Sequence, residues 1–167
     1  MRIRAIDTID WLEHYVLRVT ENPIDMHSKQ FQQIRDSPLI WNVFEAKFFD
    51  KDCCVDDVWK KTELAPRESI TNEAFLFFKS RYTEGDNTND SFESVNLLDR
   101  YKEKVQNILC SVSPSIEDKN RVCRMLIYRY RNNLFHGEKE LYSLENQIDL
   151  FTIMNAYLID LIDSVMG

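Results

Sequence analysis

The chain has 167 residues, 44% of them hydrophobic and 12% aromatic, which is enough apolar side chain for one packed core and too much for a disordered chain. Its formal charge of −7 means that the overall field repels nucleic acid, so any phosphate contact requires a local basic patch. Three glycines and four prolines point to a mostly helical protein, and four cysteines without a CxxC pair, beside only three histidines, argue against a zinc site.

Residues 3–21, IRAIDTIDWLEHYVLRVTE, place Ile6, Ile9, Leu12, Val16 and Val19 on one stripe of an amphipathic helix, which Asn22-Pro23 ends. Charges interrupt the apolar residues here, so no signal peptide is expected. No run elsewhere approaches the ~20 apolar residues of a membrane span. The expectation is a cytoplasmic protein, without membrane contact, whose Cys53, Cys54, Cys110 and Cys123 are reduced thiols.

Residues 25–36 are polar and weakly periodic, a short helix or a loop. Ser37-Pro38 reads as an N-cap followed by proline at the first helical position. The helix it opens, LIWNVFEAKFF at 39–49, is apolar nearly all round and is expected at the centre of the fold, with Glu45 its one acid. A short helix is expected around Val55 to Lys61, and another over 68–82 burying Ile70, Ala74, Phe77 and Phe78. The apolar-free stretch TEGDNTNDS at 83–91 reads as a flexible loop.

Ser91 is expected to cap a helix from Phe92 to Ser111 on the stripe Val95, Leu98, Tyr101, Val105, Ile108 and Leu109. Ser115, with Asp118 at N3, is expected to cap the next helix, running to about Phe135 and stopped by Gly137. Ser143 opens the last helix, roughly Leu144 to Val165. With no alternating strand pattern and no repeat, the fold class is all-α: a late antiparallel helical bundle with extra N-terminal helices packed on it, one domain over 1–167.

One segment departs from the acidic background. From Lys119 to Arg131 there are five bases and no acid, and Arg121, Arg124, Tyr128 and Arg131 share a face by three-four spacing. Three guanidiniums on one stripe, with an aromatic ring between them, suit contact with phosphates. The same spacing also suits a solvated face paired with acids, and Tyr128 a core or interface contact.

Arg131-Asn132-Asn133-Leu134-Phe135-His136 follows. On a continuous helix His136 points about 140° away from Arg131, but a helix ending at Gly137 lets the backbone swing it back. Arginine to neutralise a phosphate, beside histidine to move a proton near neutral pH, suits phosphoryl chemistry. A histidine at a helix C-terminus is also favoured by the helix dipole alone.

The motif Arg131-x4-His136, with a polar residue after the arginine and Gly137 after the histidine, resembles the HEPN superfamily, whose hallmark is Arg-x4-6-His. Its place near the end of a penultimate helix is similar, and WNVFEAKFF resembles the family's upstream core helix, in which an acid, here Glu45, faces the motif. The resemblance covers about 38–165 and leaves 1–37 as an N-terminal extension.

It implies a metal-independent endoribonuclease without cofactors, of toxin–antitoxin or phage-defence type, with the site at a homodimer interface. By resemblance Arg131, His136 and Asn132 are catalytic: Arg131 binds the scissile phosphate, His136 is general acid/base and Asn132 positions the phosphate or its partner side chains. Glu45 and Asn133 support them, with Glu45 either orienting the motif or forming a structural ion pair. Arg121, Arg124 and Tyr128 would bind RNA. Expected partners are an RNA substrate, a second copy of the chain, and an antitoxin or nucleotidyltransferase protein. The family also contains non-catalytic helical modules that bind a partner protein or nucleotide.

Overall fold

The computed structural model describes residues 8–20, 23, 25–49, 53–61, 63–135 and 147–166. Eight helices and one small hairpin make up the described chain: α1 (Thr8–Thr20), α2 (Lys29–Phe48), α3 (Val55–Lys60), α4 (Glu68–Tyr82), β1 (Thr83–Glu84), β2 (Asn87–Thr88), α5 (Asp90–Glu93), α6 (Asp99–Cys110), α7 (Ile116–Phe135) and α8 (Ile148–Met166). The fold is all-α, and among the described residues that hairpin is the one departure from it.

α7 lies at the centre. Val122, Cys123, Met125, Leu126 and Ile127 are fully enclosed, so successive residues on every side of the helix are covered. α4 runs beside it in the same direction: Thr71 meets Asn120 near their starts and Tyr82 meets Tyr130 near their ends. α8 runs the opposite way, Ser164 approaching Ala65, Asp160 binding Arg67 and Tyr157 reaching Asn120. Lengths of apolar surface from α3, α5 and α6 close the same core.

The α2 segment departs from the sequence expectation at its start. The helix begins at Lys29, where Ser28 caps it by accepting the Phe31 N–H at 3.1 Å, and Pro38 lies inside it. Pro38 therefore does not open the helix. Ser28 satisfies one of the orphan first-turn donors, and one missing N–H in mid-helix is outweighed by burying Phe31, Ile34, Trp41 and Phe44 on one side. Nor is α2 central: Leu39 and Val43 are 66% and 54% exposed.

α2 and α8 run parallel. Asn155 donates to the Gln33 carbonyl at 2.8 Å, and further along Val43 and Ile159 line one groove. Beneath their first turns a second apolar cluster joins Val16 of α1 to Met26, Phe31, Ile34 and Phe151.

The expected loop at 83–91 is a hairpin followed by α5. Thr83 pairs with Thr88 and Glu84 with Asn87, and Gly85 takes φ +60°, the left-handed conformation glycine adopts at little steric cost. The expected helix from Phe92 to Ser111 is broken in two. Asn96 sits at φ +55°, a conformation asparagine tolerates, and the chain turns there before α6. That turn buries Leu97 and leaves Leu98 at the N-cap of α6, 45% exposed. The expected opening of the last helix at Ser143 lies outside the described residues.

Candidate functional site

α7 starts where Ser115 predicts. The Ser115 hydroxyl accepts the Asp118 N–H at 3.1 Å and donates to the Asp118 carboxylate at 2.7 Å. Four turns on, the helix carries the Arg131 segment to its C-terminal end. Arg131, Asn132 and Asn133 are described; His136 and Gly137 lie outside the described residues.

Arg131 is held from two sides by α2. Its Nη2 is 3.7 Å from Glu45 Oε2, and its guanidinium carbon lies 5.5 Å from the centre of the Trp41 ring. Trp41 and Glu45 are one helical turn apart on α2, which is why one helix supplies both the aromatic face and the carboxylate. Nη1 of Arg131 donates to Asn132 Oδ1 at 2.9 Å. The Arg131 side chain is 30% exposed and that of Glu45 21%, so the pair sits at the mouth of the core rather than within it.

Trp41 is itself buried, and its indole N–H has no hydrogen-bond acceptor among the described residues. Tyr128, one turn before Arg131, leans its ring on the same indole at 6.0 Å and 53°. Tyr128 is thus half-buried packing against α2. Cys53 is close enough to feel both Glu45 and Arg131. Burial pushes its thiol up to about 12, Glu45 adds to the rise and Arg131 opposes it. At neutral pH it is a protonated thiol, not a nucleophile. Exposed Cys54 donates to Asp57 Oδ2 at 3.0 Å.

The other bases of the segment do not form a common solvent-facing stripe with Arg131. Arg124 is 2% exposed and donates to the carbonyls of Val58, at 3.1 Å, and Leu64. Burial, the largest influence, lowers its pKa from the ordinary arginine value, while the Tyr157 hydroxyl works against that. Arg124 thereby ties α3 and the chain after it onto α7.

Arg121 is engaged by acids of its own helix, Glu117 and Asp118, the latter at 3.0 Å. Arg129 donates to the Asn96 carbonyl at 2.6 Å and so braces the turn between α5 and α6. Lys119 donates to Asn72 Oδ1 at 2.8 Å. Asn133 is buried and points to the Val95 carbonyl at 3.4 Å, on the other side of α7 from Glu45.

Sequence reasoning named Glu45 but not its neighbours. The indole of Trp41 lies against the Arg131 guanidinium, and the thiol of Cys53 is within its electrostatic reach. The one-turn spacing of Trp41 and Glu45 was a readable signal for the first, whereas nothing local marks the second.

A separate group, on α1 and the connection after it, has metal-ligand chemistry. Ligand atoms of Asp10, Glu13 and His27 lie within 4.8 Å of one another. Hydrogen bonds account for their proximity: His27 Nε2 meets Asp10 Oδ1 at 3.0 Å, and Glu13 accepts the Met26 N–H at 2.6 Å. They dock the α1–α2 connection onto α1.

Comparison of the chain with models of protein families, with curated proteins and with solved structures finds no match.

Proposed function

We propose that this chain is a metal-independent endoribonuclease of the HEPN type, acting as a homodimer in a toxin–antitoxin or phage-defence setting. The observation supporting this reading is the posture of Arg131. A guanidinium near the C-terminal end of α7, backed by the Trp41 ring and steadied by Glu45 and Asn132, is oriented before any substrate arrives.

In this reading Arg131 binds the scissile phosphate and offsets the charge that builds on its oxygens. The ribose 2'-hydroxyl attacks the adjacent phosphorus and the 5'-oxygen leaves, giving a 2',3'-cyclic phosphate and a 5'-hydroxyl. His136, five residues beyond Arg131, is the general acid/base for the two proton transfers. Asn132 keeps the guanidinium facing the phosphate. No step requires a metal.

The test uses purified protein with a single-stranded RNA in excess EDTA. Cleavage is expected, and Arg131→Ala or His136→Ala should each lower it by roughly 100-fold or more. Helical circular dichroism and oligomeric state should stay unchanged. Replacing the ribose at the cut position by deoxyribose should stop the reaction. Equal cleavage by wild type and both variants removes the enzyme reading. Growth arrest on overexpression that depends on His136 is the corresponding cellular result.

A second reading, a non-catalytic helical module binding a partner protein or nucleotide, draws on the enclosure of Arg124 and the pairing of Arg121. These leave less basic surface for an RNA strand than the sequence spacing suggests. RNA left intact by wild-type protein, together with stable capture of such a partner, would favour it.

A further inference from the structure

The outer side of α2 carries an apolar stripe that the described residues leave uncovered. Leu39 and Val43 are 66% and 54% exposed, and Ala46, also exposed, continues the i, i+4, i+7 spacing. The stripe continues across a groove onto α8, where Ile159 is 44% exposed and lines the same hollow as Ile40, Val43, Ile162 and Asp163. A contiguous aliphatic surface on a chain of net charge −7 calls for a specific cover.

The charges beside the stripe indicate what covers it. Asp36 and Lys47 flank it one turn beyond either end of the Leu39–Val43 pair. Eleven residues separate them, a rotation of ~1100°, or about 20° past three turns, so both lie along the same flank. Two such helices packed antiparallel about a two-fold axis between Leu39 and Val43 bring the same flanks together. Asp36 of each copy then faces Lys47 of the other. The face is complementary to itself in shape and in charge, which is the requirement for an isologous contact.

We propose that this face is the dimer seam, with a second copy of the chain laying its own α2 antiparallel across Leu39, Val43 and Ile159. The proposal rests on the dimeric reading above and specifies its interface. The opposite flank of α2 leads through Asn42 to Glu45, so the seam runs the two Glu45–Arg131 edges along one side of the dimer.

Sedimentation of the full chain tests this without reference to RNA. Wild type should be a dimer at micromolar concentration. Val43→Asp should weaken association by roughly 100-fold by burying a carboxylate in the seam. Val43 is exposed in the single chain, so circular dichroism should be unchanged. Asp36→Lys and Lys47→Asp should each weaken the dimer roughly tenfold at low salt, since each turns two attractive contacts into two repulsive ones.

Mixing the two charge variants should restore a mixed dimer in which both contacts are attractive again. A monomeric wild type, a dimer indifferent to Val43→Asp, or charge variants that do not rescue each other would each overturn the seam. A dimeric wild type that leaves RNA intact would keep the seam and remove the ribonuclease reading.

Discussion

Glu45 of α2 and Arg131 of α7 face each other at 3.7 Å, with the Trp41 ring beneath the guanidinium. The separation is long for a hydrogen-bonded ion pair, and both side chains keep contact with solvent, so their attraction is weak in energy and useful chiefly for orientation. Glu45→Gln is therefore expected to lower unfolding free energy by less than about 1 kcal/mol in urea denaturation. In the ribonuclease reading it should still slow cleavage, because the guanidinium loses one of its guides. A loss of several kcal/mol would make the pair a structural element instead.

Arg124 poses the opposite case. Its guanidinium is enclosed, with Nε donating to the Val58 carbonyl and Nη1 to the Leu64 carbonyl. Arg124→Ala leaves both carbonyls short of a donor and opens space beside α3. A cost of about 3 kcal/mol is expected, seen as a fall of roughly 6–12 °C in thermal midpoint for a chain of this size. Arg121→Ala, which loses only partly exposed pairs, should shift the midpoint by a degree or two at most. Similar effects from both would contradict the difference in burial.

That contrast marks the boundary of what the sequence makes legible. Periodicity correctly puts Arg121, Arg124, Tyr128 and Arg131 on related sides of one helix, but it cannot say whether that side meets water or protein. Arg124 finds its acceptors some sixty residues earlier in the chain, beyond the reach of any local pattern. The amphipathic helices α1, α4, α7 and α8 were readable because each has one dominant buried stripe or a clear cap, as at Ser115.

The start of α2 is not legible in the sequence because proline after serine is the usual look of a first turn, while the true cap, Ser28, precedes a polar stretch with little periodicity. The long helix expected after Ser91 failed at Asn96. There a single left-handed residue, with Arg129 and Asn133 bonding the neighbouring carbonyls, outweighs an uninterrupted apolar pattern.

Asp160 links α8 to the start of α4. Its carboxylate accepts from the Arg67 backbone N–H at 2.7 Å and from Arg67 Nε at 2.6 Å. The Arg67 side-chain bond, first among its influences, holds its pKa below the usual carboxylate value. A carboxylate depressed in the folded state contributes stability that is fully present above the unfolded value near 3.9 and fades as pH falls through the folded one. Asp160→Asn should therefore lower the thermal midpoint slightly at pH 7, with the difference from wild type closing as pH drops below about 4. A gap that persists undiminished in acid would assign the effect to lost packing rather than charge.

Asn120 is the polar centre of the core, and its connections set a graded test. Its side-chain oxygen accepts from Thr71 Oγ1 at 2.8 Å and from the Tyr157 hydroxyl at 3.0 Å, joining α4, α7 and α8 at one buried atom. Tyr157→Phe removes one donor and leaves the other, so a loss of about 1 kcal/mol is expected. Thr71→Val should cost a similar amount for the same reason. Asn120→Ala removes the shared acceptor, leaves the Thr71 hydroxyl without it and the Tyr157 hydroxyl with only the long 3.4 Å approach to the Asn120 backbone carbonyl, and opens a cavity, and should cost about 3 kcal/mol. In the combined Thr71→Val and Tyr157→Phe variant the Asn120 oxygen has lost both side-chain donors. Its loss should exceed the sum of the two single losses, since each single variant leaves the oxygen one partner and the double leaves it neither. Urea denaturation of the four variants measures this directly. Strict additivity would mean that the two hydrogen bonds act independently and that Asn120 is not the joint holding the three helices in register.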